Sequence, residues 1–277
     1  MTGIVLSGIG AGIIIMPPVA NQLISGYGWR TSYIITGIIT LVLVIVAAQF
    51  LKRDPGQTGQ LPYGVDEVKA ESLDSGDRGF SLQETIRTRR FWMLCTLFFC
   101  FGFGIHTMLV HIVPHAIDIG ISAVSAASIL SVIGGLSIAG RIGMGSASDR
   151  IGNKPALIIS VILLSVAFFW LQSAKELWML YLFAVVFGVA YGGQTVLQSP
   201  IVADLFGLRA HGTVLGVIVF GVTLGGAIGP LMAGRIFDIT GSYQPAFLIS
   251  LTLSVIALIL MFFLRPSSNE AVRKIHS

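Results

Sequence analysis

Charged residues are scarce in this chain of 277 residues, where Asp, Glu, Lys and Arg together make up 11% of the sequence. A water-soluble domain usually carries roughly a quarter of such residues, so this composition excludes an ordinary soluble fold. Apolar residues make up 54% of the chain, and the mean hydropathy is +0.86. We therefore expect the lipid bilayer to be the solvent of this protein.

Other features that are scarce or missing exclude several functional classes. The sequence has only two cysteines, Cys95 and Cys100, and both lie in one apolar run, so no disulfide framework is expected. It has no Gly-rich phosphate loop and no Ser–His pair in a catalytic context, so we expect no enzyme and no cofactor. Lys and Arg on cytoplasmic loops explain the net charge of +4 better than a nucleic-acid partner does.

Eight apolar stretches are each long enough to cross a bilayer as a helix, which takes roughly 20 residues. They run near 3–26, 30–51, 92–116, 123–144, 155–173, 177–199, 212–236 and 243–264. The alternating polarity of membrane β-strands is absent, and helices are then the remaining way to satisfy the backbone in lipid. We predict an all-α transmembrane bundle with eight spans.

The distribution of charge divides the chain and orients it. Most of the 17 Lys and Arg fall on one side of the membrane, and only Arg30, Lys175 and Arg235 fall on the other. The positive-inside rule then places both ends of this chain in the cytoplasm of a multi-pass cell-membrane protein. We predict two spans at 1–51, a polar cytoplasmic linker at 52–90, a six-helix bundle at 91–264 and a cytoplasmic tail at 265–277.

The most specific motif follows the fourth span, where residues 140–154 read GRIGMGSASDRIGNK. It resembles the signature loop of the major facilitator superfamily, with matches at Gly145, Asp149, Arg150, Gly152 and Lys154. In this motif a Gly permits the tight turn, and the Asp can pair with the Arg or cap a helix. We expect the cluster to act as a gating loop that latches two helix ends together. The alternative is a solvated loop that only carries topogenic charge.

The rest of the chain resembles the monocarboxylate porter and oxalate–formate antiporter branch of that superfamily, from Gly28-Trp29-Arg30 to Thr240-Gly241-Ser242-Tyr243. The resemblance implies two six-helix halves joined by a long cytoplasmic loop. The eight spans then match helices five to twelve, which are two helices of the N-terminal half and a complete C-terminal half. It also implies a secondary transporter that moves a small organic anion, such as a monocarboxylate, by alternating access. The alternative is a fragment that does not transport, or a membrane interaction protein.

Arg141 is the main candidate for binding the substrate, because a charge inside a span is costly and often functional. The resemblance implies that an Arg at this place binds a carboxylate, for which a guanidinium offers a bidentate fork. The alternative is an Arg that extends to the cytoplasmic interface. Ser137 stands where those porters place an Asp, which weakens the case for a proton-coupling Asp–Arg pair. The seventh span also lacks the central Lys of oxalate carriers, which disfavours a dicarboxylate.

Further polar side chains inside the spans are candidates for lining the substrate cavity, with a proton as a candidate coupling ion. A metal site is not expected, because the chain has five His in all and only His111 and His115 share a spacing suited to one. Hydrogen bonding between helices is the alternative reading of the same residues. The candidates for substrate binding besides Arg141 are His106, His111, Tyr191, Gln194, Gln198 and, more weakly, Asn21.

Overall fold

The computed structural model describes residues 2–50 and 80–264, apart from some α1 side chains, among them that of Asn21. The predicted tail and most of the predicted linker lie outside these residues. The fold of the described part is all-α, as predicted. Its helices are α1 Thr2–Phe50, α2 Leu82–Ile86, α3 Arg89–Asp118, α4 Ala123–Ile151, α5 Asn153–Leu171, α6 Leu177–Phe206, α7 His211–Thr240 and α8 Gln244–Phe263.

Seven helical segments of the described residues are long and apolar enough to cross a membrane. They are Gln22–Phe50 within α1 and the six helices α3 to α8. The sequence predicted eight spans, and the difference lies in α1. Up to Phe50, the predicted spans 3–26 and 30–51 form one helical run there, in which the backbone leaves helical geometry at Gly28 (φ 74°, ψ 160°). This left-handed conformation is accessible to Gly because it has no Cβ.

The six later predicted spans each correspond to one helix, but two of the helices run seven residues past their predicted ends. Helix α4 continues to Ile151 and α6 continues to Phe206, through Pro200. As a correction, Gly145, Asp149 and Arg150 therefore lie in the last turns of α4 and not in a loop. No residue stops the helix before Gly152, whose φ of 92° ends it and makes the turn into α5.

The described residues divide into two compact units, of which one holds 15–50 and the other holds 2–14 and 80–264. The first is a helical segment whose side chains are mostly exposed. In the second, α3 packs against α7 and α8, α4 packs against α6, and α5 packs against α6 and α8. Buried phenylalanines fill much of its core, namely Phe91, Phe98, Phe168, Phe183, Phe187 and Phe247.

Two helix pairs in this second unit approach each other through glycines. A methyl group in place of the Gly192 hydrogen on α6 would lie 2.9 Å from the Arg141 backbone nitrogen on α4. On α7, a methyl group at Gly225 would lie 2.8 Å from the Phe103 backbone nitrogen on α3. Both distances are too short for a real side chain, so the backbones touch directly. Small residues permit this close packing between membrane helices.

The end of the predicted linker is helical and belongs to the bundle. Ser81 caps α2 by accepting a hydrogen bond from the Glu84 backbone nitrogen at 3.3 Å, and the Glu84 carboxylate accepts one from the Ser81 nitrogen at 2.7 Å. This second hydrogen bond lowers the pKa of Glu84. The Phe80 N–H donates to the Phe206 carbonyl at 3.0 Å, which ties this segment to the end of α6.

The glycine contact between α4 and α6 can be tested by substitution. We expect Gly192→Ala to lower the free energy of unfolding by roughly 1–3 kcal/mol, because the added methyl overpacks the contact. Gly143→Ala on α4 is the matched control, since a methyl there meets nothing within 4 Å. Higher helix propensity should make that control neutral or slightly stabilising. Equal melting temperatures of the two variants in detergent would contradict the close contact.

Candidate functional site

Arg141 lies on α4, about ten residues before the cytoplasm-facing end expected from the charge distribution. Its side chain is fully buried, with 0% of its surface exposed. Ten helical residues span about 15 Å, so the guanidinium is well inside the membrane-spanning part of the helix. An arginine that extends to the lipid headgroups would be exposed, and this geometry does not fit that alternative.

The neighbours of the Arg141 guanidinium are neutral. Its Nη1 donates a hydrogen bond to the Ser137 hydroxyl at 2.7 Å, and that hydroxyl donates to the Gly134 carbonyl at 2.7 Å. The guanidinium carbon lies 5.1 Å from the centre of the Tyr191 ring, within cation–π range. Ser137 therefore offers Arg141 a neutral acceptor at the position where the related porters have an Asp.

The remaining donors of Arg141 are left without partners. Nε and Nη2 are buried and form no hydrogen bond with the described residues. A buried donor without an acceptor costs about 1–3 kcal/mol, and more when the group is charged. A carboxylate accepts two parallel N–H bonds from a guanidinium, so an anion bound here would satisfy these groups.

Close helix packing holds Arg141 in this position. Gly192 lets α6 lie directly against α4, and this brings the adjacent Tyr191 ring over the guanidinium. From the other side, a methyl group at Gly10 of α1 would lie 3.1 Å from Nη1 of Arg141. Sequence reasoning did not single out Gly10 or Gly192 for this role. Their only sequence signal is a small residue inside a span, which many positions in this chain share.

The polar side chains of α6 differ in their hydrogen bonds. The Gln194 side chain is fully buried, and neither its amide nitrogen nor its amide oxygen has a hydrogen-bond partner among the described residues. The Gln198 amide nitrogen is also buried and has no hydrogen-bond partner among the described residues. Thr195 donates to the Tyr191 carbonyl of its own helix at 2.8 Å. Gln194 and Gln198 thus keep free hydrogen-bonding capacity on the helix that carries Tyr191, whereas Thr195 does not.

The three α3 histidines have three different surroundings. His106 is exposed, and its Nδ1 lies 2.9 Å from the Gly102 carbonyl oxygen. His111 is half-buried and lies 3.0 Å from the Pro230 carbonyl oxygen through Nε2, while its Nδ1 is buried without a partner. His115 is buried and meets Phe247 edge-on, with ring centres 4.9 Å apart. Within 2–50 and 80–264, no group of three or more His, Cys, Asp or Glu could hold a metal ion.

The residues of the predicted gating loop meet the ends of two other helices. Lys154 donates a hydrogen bond to the Leu264 carbonyl just after α8. The Asn153 amide donates to the Asp204 carboxylate of α6 at 2.7 Å. Asp149 and Arg150 are exposed. Sequence reasoning missed the pairing of Asn153 with Asp204, which depends on which helix ends become neighbours.

Comparison with known proteins agrees with this architecture. The sequence profile of the Major Facilitator Superfamily matches residues 1–171 and 139–276. Among solved structures, the Escherichia coli fucose:proton symporter superposes with a TM-score of 0.59 at 18% identity, covering 89% of this chain and 59% of its own. The human organic anion transporter MFSD10 superposes with a TM-score of 0.53 at 22% identity, covering 62% of this chain and 40% of its own. These likenesses concern the fold.

Sequence comparison also identifies relatives whose transport activities are named. Monocarboxylate transporter 12 of Rattus norvegicus is 27% identical over 89% of this chain and 55% of its own length. The oxalate:formate antiporter of Oxalobacter formigenes is 26% identical over 99% of this chain and 63% of its own length. The chain thus spans less than two thirds of the length of these relatives. It belongs to the Major Facilitator Superfamily, and its relatives in that superfamily include monocarboxylate transporters and the oxalate:formate antiporter.

Proposed function

We propose that this chain forms eight spans of a secondary transporter that binds a small monocarboxylate at Arg141 and moves it by alternating access. The observation that carries the proposal is the fully buried guanidinium, two nitrogens of which have no hydrogen-bond partner among the described residues. A positive charge without an acidic neighbour is electrostatically complementary to one carboxylate. The names of the relatives, which refer to monocarboxylates, oxalate and formate, support an anion of this class.

The neutral groups near Arg141 fit the rest of a small substrate. Tyr191 presents an aromatic face beside the guanidinium, and Gln194 carries a buried amide without partners on the same helix. An amide can both donate to and accept from a polar substituent of the anion. In this proposal His111 supports the site by bonding to the α7 backbone. Asn21 stays a candidate whose side chain lies outside the described ones.

The proposal includes the topology expected from the sequence. Residues 3–26 and 30–51 act as two spans that meet at Gly28, which makes eight spans with the six later helices. Both ends of the chain face the cytoplasm of the cell membrane. A proton is the candidate coupling ion. Four further helices would complete the N-terminal half, in agreement with the greater length of the relatives.

Arg141→Ala should weaken monocarboxylate binding by roughly 10–100-fold, since a hydrogen bond to a charged group contributes about 1.5–3 kcal/mol. Arg141→Lys should recover part of this loss, because it restores the charge but not the bidentate fork. The measurement is equilibrium binding of radiolabelled formate, acetate and lactate to the purified protein in detergent.

Arg235→Ala is the control for this series, because Arg235 is an exposed arginine on α7. It should bind the same anion as tightly as the unaltered protein does. Equal affinities of the unaltered protein and Arg141→Ala would rule out the anion site. If no carboxylate of the panel bound to the unaltered protein, the alternative of a fragment without transport activity would gain support.

The hydrogen bond from Lys154 to the Leu264 carbonyl, which we propose holds two helix ends together, gives a second prediction. Lys154→Ala removes the hydrogen bond to the Leu264 carbonyl, so the α8 end should open more often. A cysteine placed at position 264, in a background without Cys95 and Cys100, should then react with a maleimide roughly 2–10-fold faster. That range corresponds to one hydrogen bond of about 0.5–1.5 kcal/mol.

Lys175→Ala, at an exposed position in the turn between α5 and α6, is the control for the latch and should leave the labelling rate unchanged. Leu264 is suited as the reporter because its side chain is only 1% exposed. Labelling that is equally slow with and without Lys154 would show that the hydrogen bond does not hold the helix end.

A further inference from the structure

Three arginines lie close together where the chain enters α3. Arg87 directly follows α2, and Arg89 and Arg90 are the first residues of α3, so three positive charges fall within four residues. Arg87 and Arg89 are exposed, and Arg90 is half-buried. None of the three side chains forms a hydrogen bond or an ion pair with the described residues. We call these three residues the arginine cluster.

Two other basic side chains at this end of the bundle are already engaged. Lys154 donates a hydrogen bond to the backbone just after α8. Arg209, in the turn between α6 and α7, also has an interaction partner. The hydrogen bonds from Ser81 and, more weakly, the charge of Arg209 lower the pKa of Glu84, the only acid between residues 81 and 92. The arginine cluster is therefore a positive charge that no described acid balances.

The bundle holds the arginine cluster in a fixed place. The Phe80 N–H donates to the Phe206 carbonyl at the end of α6, and Thr85 of α2 is fully buried. The Phe91 ring, directly after the cluster, lies 6.2 Å from the Phe206 ring, measured between ring centres. Because α2 also packs against α3 and α7, the three charges are presented on an anchored turn.

A tryptophan with an interfacial character follows the cluster. The Trp92 side chain is 59% exposed, and its indole nitrogen donates to the Ile86 carbonyl at 2.9 Å. Apolar side chains of Ile86 and Phe80 are exposed beside it. Tryptophan is enriched where the hydrocarbon of a bilayer meets the headgroups, since its ring is apolar and its N–H is polar. This position is the start of a membrane-spanning helix, so the arginine cluster lies at headgroup level.

We propose that the arginine cluster and Trp92 form a docking surface for an anionic phospholipid of the adjoining leaflet, such as phosphatidylglycerol. Guanidinium groups bind phosphate oxygens in bidentate pairs, and the indole ring packs beside the glycerol backbone and the first acyl carbons. A zwitterionic lipid also has a phosphate, but its own cation offsets the charge, so the surface prefers the anionic lipid. Arg141 takes no part in it, and the inference is independent of the transported substrate.

The test measures the affinities of phosphatidylglycerol and phosphatidylcholine for the purified full chain by native mass spectrometry from detergent. Each arginine near a membrane surface contributes about fivefold to the binding of an anionic lipid. Replacing all three by Gln should therefore lower the ratio of the two affinities roughly 100-fold, and Arg89→Gln alone about fivefold. Arg235→Gln is the matched control, since it removes an exposed arginine of α7 and should leave the ratio unchanged.

Further measurements separate charge from folding. Replacing all three arginines by Lys keeps the charge and should keep most of the preference for phosphatidylglycerol. For the unaltered protein, raising the salt concentration from about 50 mM to about 500 mM should lower the ratio roughly tenfold, because exposed charges are screened. Trp92→Ala should weaken the binding of both lipids alike and leave their ratio unchanged.

Two other occupants of the surface give different results. Glycerol 3-phosphate carries the charge of the lipid without its acyl chains and should not displace phosphatidylglycerol at equal concentration. Equal displacement would assign the arginine cluster to a soluble phosphate and overturn the membrane role. A ratio near one in the unaltered protein, or one that survives replacement by Gln, would also overturn it, as it would if acids of the 52–79 segment neutralised the cluster. None of these results alters the test of formate binding at Arg141.

Discussion

The direct contact between α4 and α6 is the constraint on which the rest of the site depends. Gly140, Gly188 and Gly192 have no side chains to hold the two backbones apart, so the helices meet without an intervening layer. Arg141 and Tyr191 are the neighbours of two of these glycines and are brought face to face by the contact. In a bilayer, where apolar side chains gain little by leaving lipid, such close packing is a main source of helix association.

The buried positive charge of Arg141 is not balanced by a negative charge among the described residues. The guanidinium is removed from water, has one neutral acceptor in Ser137 and faces an aromatic ring, so its charge is not neutralised within the described residues. An acid at position 137 would neutralise it permanently. In the function proposed above, a hydroxyl leaves the charge available for an anion that binds and is then released.

Much of the fold was readable from the sequence, because long apolar stretches are strong signals in membrane proteins. Six helices were predicted close to where they lie, and Arg141 stood out as a charge inside a span. The extension of α4 was missed because charged residues such as Asp149 at the membrane edge suggested a loop, and the extension of α6 through Pro200 was missed as well. The contacts of Gly10, Gly192 and Gly225 were not predictable, since each depends on which helices become neighbours.

The most direct test of the central claim is a distance between the bound anion and Arg141. Solid-state NMR can measure dipolar coupling between ¹³C-formate and the ¹⁵N-labelled guanidinium in the reconstituted protein. A bidentate pair places the formate carbon about 4 Å from the nearest guanidinium nitrogens, given N···O distances of about 2.8 Å. The account predicts a coupling of that size to Arg141, absent in Arg141→Lys. Bound formate with no coupling to Arg141 would contradict it.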